Sequence, residues 1–259
     1  KYTELQKEVD SIYASFEEGT VSEKGLTAIL NTFSRINPSA EAYLTSWVQT
    51  FPESELALFS RALFYHHYSW FKRGSGWAND LTDEQRSGLK RYRELARKDL
   101  NKALSMNKSF CIGHAWKIKV LMSYKRRDLR KTYDDASINC PKSVELRSTY
   151  LKSLQPRWGG SIKDMRVFVR ESIEEDDIFS KLRAFEIAEE GDQLLYKKKY
   201  IEALEKYEEA LTFDDIAQQL GISTNTAKSQ LYSALDKLKY HLEAQALGQN
   251  INISEVDHV

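Results

Sequence analysis

Residues 184–211 read AFEIAEEGDQLLYKKKYIEALEKYEEAL, and their pattern decides the fold. Apolar residues recur at spacings of three and four, which is the signature of amphipathic helices and not of strands. Gly191 and Ala203 are small where two helices of a hairpin would cross, and Tyr200 and Tyr207 are large enough to fill the space around them. Ala210 and Leu211 complete the set of positions that would pack inward.

Working outward, almost every segment between residues 2 and 211 repeats this spacing, and no run alternates as a strand would. The chain is therefore expected to be all-α. Helices are predicted over about 2–18, 23–36, 39–51, 54–71, 82–106, 110–124, 127–139, 143–154, 161–173 and 177–197. Ser22 and Thr82 are N-cap types, while Asn37-Pro38, Phe51-Pro52 and Cys140-Pro141 end helices. Breaks this short join antiparallel neighbours, so the expected architecture is a stack of helical hairpins.

The six positions named in 184–211 fall at the offsets of a tetratricopeptide unit, which this stretch resembles. Trp116 and Ala103-Leu104 suggest weaker hairpins of the same kind upstream. Tyr68-x-Trp70-x-x-Arg73-Gly74, with Leu154-Gln155-Pro156-Arg157-Trp158-Gly159-Gly160-Ser161, resembles an uncharacterised family of bacterial helical domains over about residues 50–170. That resemblance implies a helical fold and no activity.

Residues 211–242 read LTFDDIAQQLGISTNTAKSQLYSALDKLKYHL. Thr212 with Asp215 would form a capping box, Gly221 would permit a turn, and Ser223 would cap a second helix. Ala227, Leu231, Ala234, Leu235 and Leu238 would pack inward on Ile216, Leu220 and Ile222. The stretch resembles the promoter-reading fourth region of bacterial sigma factors. That resemblance implies a helix-turn-helix presenting Thr224, Asn225, Thr226, Lys228, Ser229 and Tyr232 to double-stranded DNA. It departs from the family at Ala227, Gln230 and Ser233. Lys228, Lys237 and Lys239 are also balanced by Asp214, Asp215 and Asp236, which lowers the expected phosphate affinity. Nothing in residues 1–198 resembles the polymerase-gripping part of a sigma factor.

Formal net charge is +0, so no global field recruits nucleic acid or an anionic membrane. No stretch approaches the apolar length of a membrane span, and a cytoplasmic location is expected. The numbering opens at Lys1 without a start methionine, which leaves room for a removed leader. Cys111 and Cys140 lack metal-ligand spacing and are expected to be reduced, buried thiols. His66 and His67 are adjacent on a helix and point about 100° apart, too divergent to share a metal readily. No Ser/His/Asp set, glycine-rich phosphate loop or zinc signature is present, so neither an enzyme nor a cofactor is expected.

The densest basic run is Lys117, Lys119, Lys125, Arg126, Arg127, Arg130 and Lys131, with an acidic counterpart in Glu171, Glu174, Glu175, Asp176 and Asp177. Arg73, Trp77, Arg157 and Trp158 lie near glycines in two predicted loops and are the residue types that dominate binding hot spots. The expected organisation is a helical-hairpin domain at 1–176, a tetratricopeptide-like hairpin at 177–211, and a helix-turn-helix with a tail at 212–259. The expected function is a non-enzymatic regulator whose helical repeats bind a protein partner and whose C-terminal motif contacts DNA. The alternative is a protein-interaction scaffold with no DNA role.

Overall fold

The computed structural model describes residues 2–35, 37–76, 79–122 and 126–219. Among these residues all regular structure is helical and no strand occurs. The helices are α1 (Tyr2–Glu17), α2 (Glu23–Leu30), α3 (Glu41–Thr50), α4 (Glu55–Arg73), α5 (Asp83–Met106), α6 (Cys111–Leu121), α7 (Leu129–Asn139), α8 (Val144–Ser153), α9 (Ile162–Glu175), α10 (Leu182–Tyr196) and α11 (Tyr200–Gln219). The chain divides into two compact units, Lys1–Ser153 and Leu154–Val259.

The helix starts follow from the sequence. Ser22, Ser54, Thr82 and Ser161 each accept a backbone N–H from the first turn of the helix that follows. Thr82 and Gln85 satisfy one another's orphan donors in a full capping box. Gly74 ends α4 at a φ of 72°, a conformation costly for any residue with a Cβ.

In the first unit α4 and α5 form the central antiparallel hairpin. Their shared face buries Phe59, Leu63, Ala96, Leu100 and Ala103, with Trp47 of α3 and Leu26 and Leu30 of α2 packed alongside. Arg61 donates to both carboxylate oxygens of Asp99, at 2.7 and 2.8 Å, and so ties α4 to α5. The indole N–H of the fully buried Trp47 donates to Gln6, whose amide in turn donates to Asp10 and Ser54. Ser143 and the backbone N–H of Glu145, at the start of α8, both donate to the Glu23 carboxylate.

The second unit is built on α10 and α11, with α9 against α10. Gly191 is where the pattern of residues 184–211 requires it: a Cβ there would lie 2.6 Å from the Tyr207 ring. The Tyr207 hydroxyl donates to Asp192 at 2.7 Å, and Ala203 is fully buried beside it.

Several expectations are corrected. The helix expected over 23–36 stops at Leu30 and passes into a 3-10 turn, Asn31–Arg35, where the Thr32 hydroxyl donates to the Ile29 carbonyl. The helix expected from 177 begins at Leu182, because Asp176 caps a separate 3-10 turn, Asp177–Phe179. The second unit begins after Ser153, whereas a boundary was expected after 176; α9 packs with α10 through Arg166, which donates to Glu186 and Glu190. The helix start expected at Thr212 falls inside α11, whose backbone runs unbroken from Tyr200 to Gln219. Residues 220–242, the rest of the expected helix-turn-helix, lie outside the described residues.

The cysteines are not reduced thiols. Cys111 at the start of α6 and Cys140 after α7 form a disulfide, with Cα atoms 5.6 Å apart. The sequence separation of 29 hid the pairing, because the turn after α6 brings α7 back beside it. Closing a loop of that length stabilises the fold by about 3–4 kcal/mol in the chain-entropy picture. The double change Cys111→Ser/Cys140→Ser is therefore expected to lower the midpoint of thermal unfolding followed by circular dichroism. Thiol titration of the native chain should find no free thiol before reduction. A free thiol, or an unchanged midpoint, would contradict the bond's role. In the second unit Gly191→Ala is expected to cost about 1–3 kcal/mol by overpacking against Tyr207, read by denaturant unfolding; a neutral result would show that the hairpin relaxes around the methyl group.

Candidate functional site

The expected DNA-contacting residues Thr224, Asn225, Thr226, Lys228, Ser229 and Tyr232 lie outside the described residues, as does Trp77. Arg73 ends α4 in the first unit, and Arg157 and Trp158 form a turn in the second. No group of three or more His, Cys, Asp or Glu side chains among the described residues is arranged to hold a metal ion.

The end of α4 gathers aromatic and cationic side chains on two opposite faces, as its 3.6-residue period dictates. One face carries His66, Trp70 and Arg73. The Trp70 ring has two guanidinium groups near it, Arg93 of α5 at 4.6 Å and Arg73 at 5.5 Å from the ring centroid. Arg93 is fully buried and donates to the carbonyl of Val120 in the last turn of α6, where a helix presents the negative end of its dipole. His66 packs edge-on against Trp116, and Trp116 carries the Lys119 ammonium 4.0 Å from its centroid. His66 Nδ1 is buried without a hydrogen-bond partner. Burial, then the charges of Arg93 and Lys119, hold the imidazole well below its ordinary pKa and keep it neutral. Burial also pushes the Lys119 ammonium down, with Lys152 adding to the shift and Glu145 opposing it.

The other face carries Phe64, Tyr68, Phe71 and Lys72. Phe64 stacks on Tyr68 and Tyr68 on Phe71, each pair 5.5 Å between centroids, with interplanar angles of 16° and 10°. The stack runs from the core outward: Phe64 is buried and Phe71 is 64% exposed. Tyr92 of α5 meets Tyr68 edge-on at 4.5 Å, and burial raises its pKa. Gly88 lets α5 approach so closely that a Cβ there would lie 3.0 Å from the Lys72 side chain. The Lys72 ammonium sits over the Tyr68 ring at 5.3 Å and the Arg91 guanidinium over Tyr92 at 5.6 Å.

In the second unit Gln155-Pro156-Arg157-Trp158-Gly159-Gly160 is a tight turn. Gly159 is left-handed at a φ of 84°, and a side chain at Gly160 would collide with the Leu154 carbonyl. Gln155 donates to Glu189 at 2.7 Å and Arg157 lies 3.7 Å from the same carboxylate. Burial raises the pKa of Glu189 despite these partners. Arg157 is thus anchored to α10, and Trp158 is half-buried.

Residues 1–125 match a family model described as a domain of unknown function (DUF4034). The match includes Tyr68, Trp70, Arg73 and Gly74 and reaches the N-terminus, whereas the expected resemblance covered residues 50–170. The turn at 155–160 lies beyond it. No curated protein and no solved structure matches the chain.

Sequence reasoning singled out Arg73 but missed Phe71, Lys72, Arg91 and Tyr92. Phe71 is the most exposed of the Phe, Tyr and Trp residues of α4, a property that the apolar spacing alone does not reveal. The basic run 117–131 is neutralised locally: Arg130 pairs with Asp134, Lys131 with Asp135, and Arg126 donates to the Ser153 carbonyl. Lys125 lies outside the described residues.

His66 makes the stability of the first unit depend on pH. Its folded pKa is depressed, so the unfolded chain takes up the proton first. Its contribution is complete above about pH 6.5, the unfolded value, and declines as the pH falls below it, with a slope of at most about 1.4 kcal/mol per pH unit. Denaturant unfolding at a series of pH values is expected to show a shallower decline for His66→Leu than for the native chain. Equal slopes would mean that His66 titrates normally.

Proposed function

We propose that this chain is a helical-hairpin scaffold that binds a protein partner through the outer end of α4 and the adjoining turns of α5. The observation that carries the reading is the stack Phe64–Tyr68–Phe71, which leads out of the core to an exposed ring flanked by Lys72 and Arg91. Phe and Tyr beside Arg are the composition of interface hot spots. Rings fixed by stacking also lose little side-chain entropy on binding. The Arg157–Trp158 turn supports the reading less, because its arginine already holds Glu189.

Among the described residues no helix is long and apolar enough to cross a membrane. The Cys111–Cys140 bond favours an oxidising compartment over the cytoplasm, where thiols are kept reduced. The DNA-contacting role rests on the sequence of 211–242 alone.

A photo-crosslinking side chain placed at Phe71 is expected to yield a discrete adduct in extracts of the producing cells, and one placed at Ile138, exposed on α7, none. The same background from both positions would defeat the reading. Labelled duplex DNA is expected to show no salt-sensitive anisotropy change that is lost on truncation after Gln219, a cut that leaves α11 whole. Such a change would establish the regulator instead.

A further inference from the structure

The end of α4 also specifies the chemistry of what it binds, an inference that rests on the partner-binding reading above. We infer that the patch formed by Phe71, Lys72 and Arg91 takes an acidic segment of a partner protein that carries an aromatic side chain.

The argument begins with charge. Lys72 and Arg91 are exposed, lie against neighbouring tyrosine rings, and have no carboxylate partner among the described residues. The other cation of this face, Arg61, is already taken up by Asp99. Glu41 of α3, which acts on Tyr65 and Tyr92, and Asp83 and Glu84 in the first turn of α5 are the carboxylates of this end of the hairpin. None of them is paired with Lys72 or Arg91, so both cations are uncommitted. An incoming carboxylate gains both cations without breaking an internal ion pair, whereas an incoming lysine or arginine meets repulsion.

The second element is shape. Tyr68 and Phe71 are parallel within 10°, and among the described residues Phe71 is the last ring of the stack, so a further planar group extends it at little ordering cost. A ring on the partner supplies that group. Its carboxylates, one or two residues away, then reach Lys72 and Arg91, which the close approach at Gly88 brings to the same end of the hairpin.

A single-stranded nucleic acid would also stack and carry negative charge, but it needs a continuous cationic track for its backbone. The first turn of α5 interrupts any such track with the exposed carboxylates of Asp83 and Glu84.

The test is selection of displayed short random peptides on the intact full-length chain, with Lys72→Glu/Arg91→Glu and Phe71→Ala as counter-selections. All three residues are at the surface, and circular dichroism would verify that the variants fold. The expected result is enrichment of acidic peptides containing Phe, Tyr or Trp. Their affinity should fall about tenfold on the double charge reversal, fall on Phe71→Ala, and weaken with salt. Phe71-dependent peptides that are neutral or basic would overturn the acidic chemistry while leaving the partner-binding reading to the crosslinking result. No enrichment over the counter-selections would overturn the inference outright. So would Phe71-dependent binding of a labelled single-stranded oligonucleotide in preference to the peptides.

Discussion

The bidentate pair between Arg61 and Asp99 crosses the seam between α4 and α5, the two longest helices of the first unit. Both side chains are mostly buried, so each depends on the other: removing either leaves a charge stranded at a cost of about 3–5 kcal/mol. The pair fixes the register of the hairpin, and small residues set its separation. Ala96 and Ala103 are fully buried, and Gly88 admits Lys72 near the far end. With register and separation fixed, the aromatic residues of α4 have one way to sort. Phe59, Leu63 and Phe64 fill the core, and the residues beyond them are carried out to the surface.

The all-helical fold was legible because apolar stripes recur along the chain and four of the helices also announce their start by a cap. Ser22, Thr82 and Gly191 occupy positions that local chemistry alone identifies, and the structure uses each of them so. What was not legible depends on contacts distant in sequence. The disulfide joins residues that only the folded turn brings together. α9 belongs with the second unit because Arg166 reaches across to Glu186 and Glu190, pairs that no local pattern encodes. The sequence left open whether one helix serves both the hairpin and the stretch after Leu211, and α11 does run on through Thr212: threonine is a good cap but also a tolerable interior residue, and nothing beside it forbids helix. Of the hot-spot residues expected from sequence, Arg73 lies beside Trp70 on the face of α4 opposite Lys72, Arg157 lies 3.7 Å from Glu189, Trp158 is half-buried, and Trp77 lies outside the described residues.

The two faces of α4 treat cations in opposite ways, and the contrast separates structural from binding chemistry. Arg93 is fully buried, and its charge is met by the Val120 carbonyl at the end of α6 and by the Trp70 ring. These are fixed dipoles and a quadrupole, and they hold the guanidinium without leaving the site. His66, beside it, is kept neutral because a further positive charge there would have no such compensation. This face is an internal joint among α4, α5 and α6.

On the opposite face Lys72 and Arg91 also lie over aromatic rings, but both side chains are exposed and open to hydration. A cation held by a ring and by water exchanges the water for a carboxylate at small cost, since its stem is already packed and its hydration is partly stripped. A cation held by a backbone carbonyl in the core cannot make that exchange without breaking the joint. The same residue types therefore stabilise the fold on one side of α4 and remain available for recognition on the other. Burial makes the difference: Arg93 is fully enclosed, while Phe71, a single turn beyond the core, is 64% exposed.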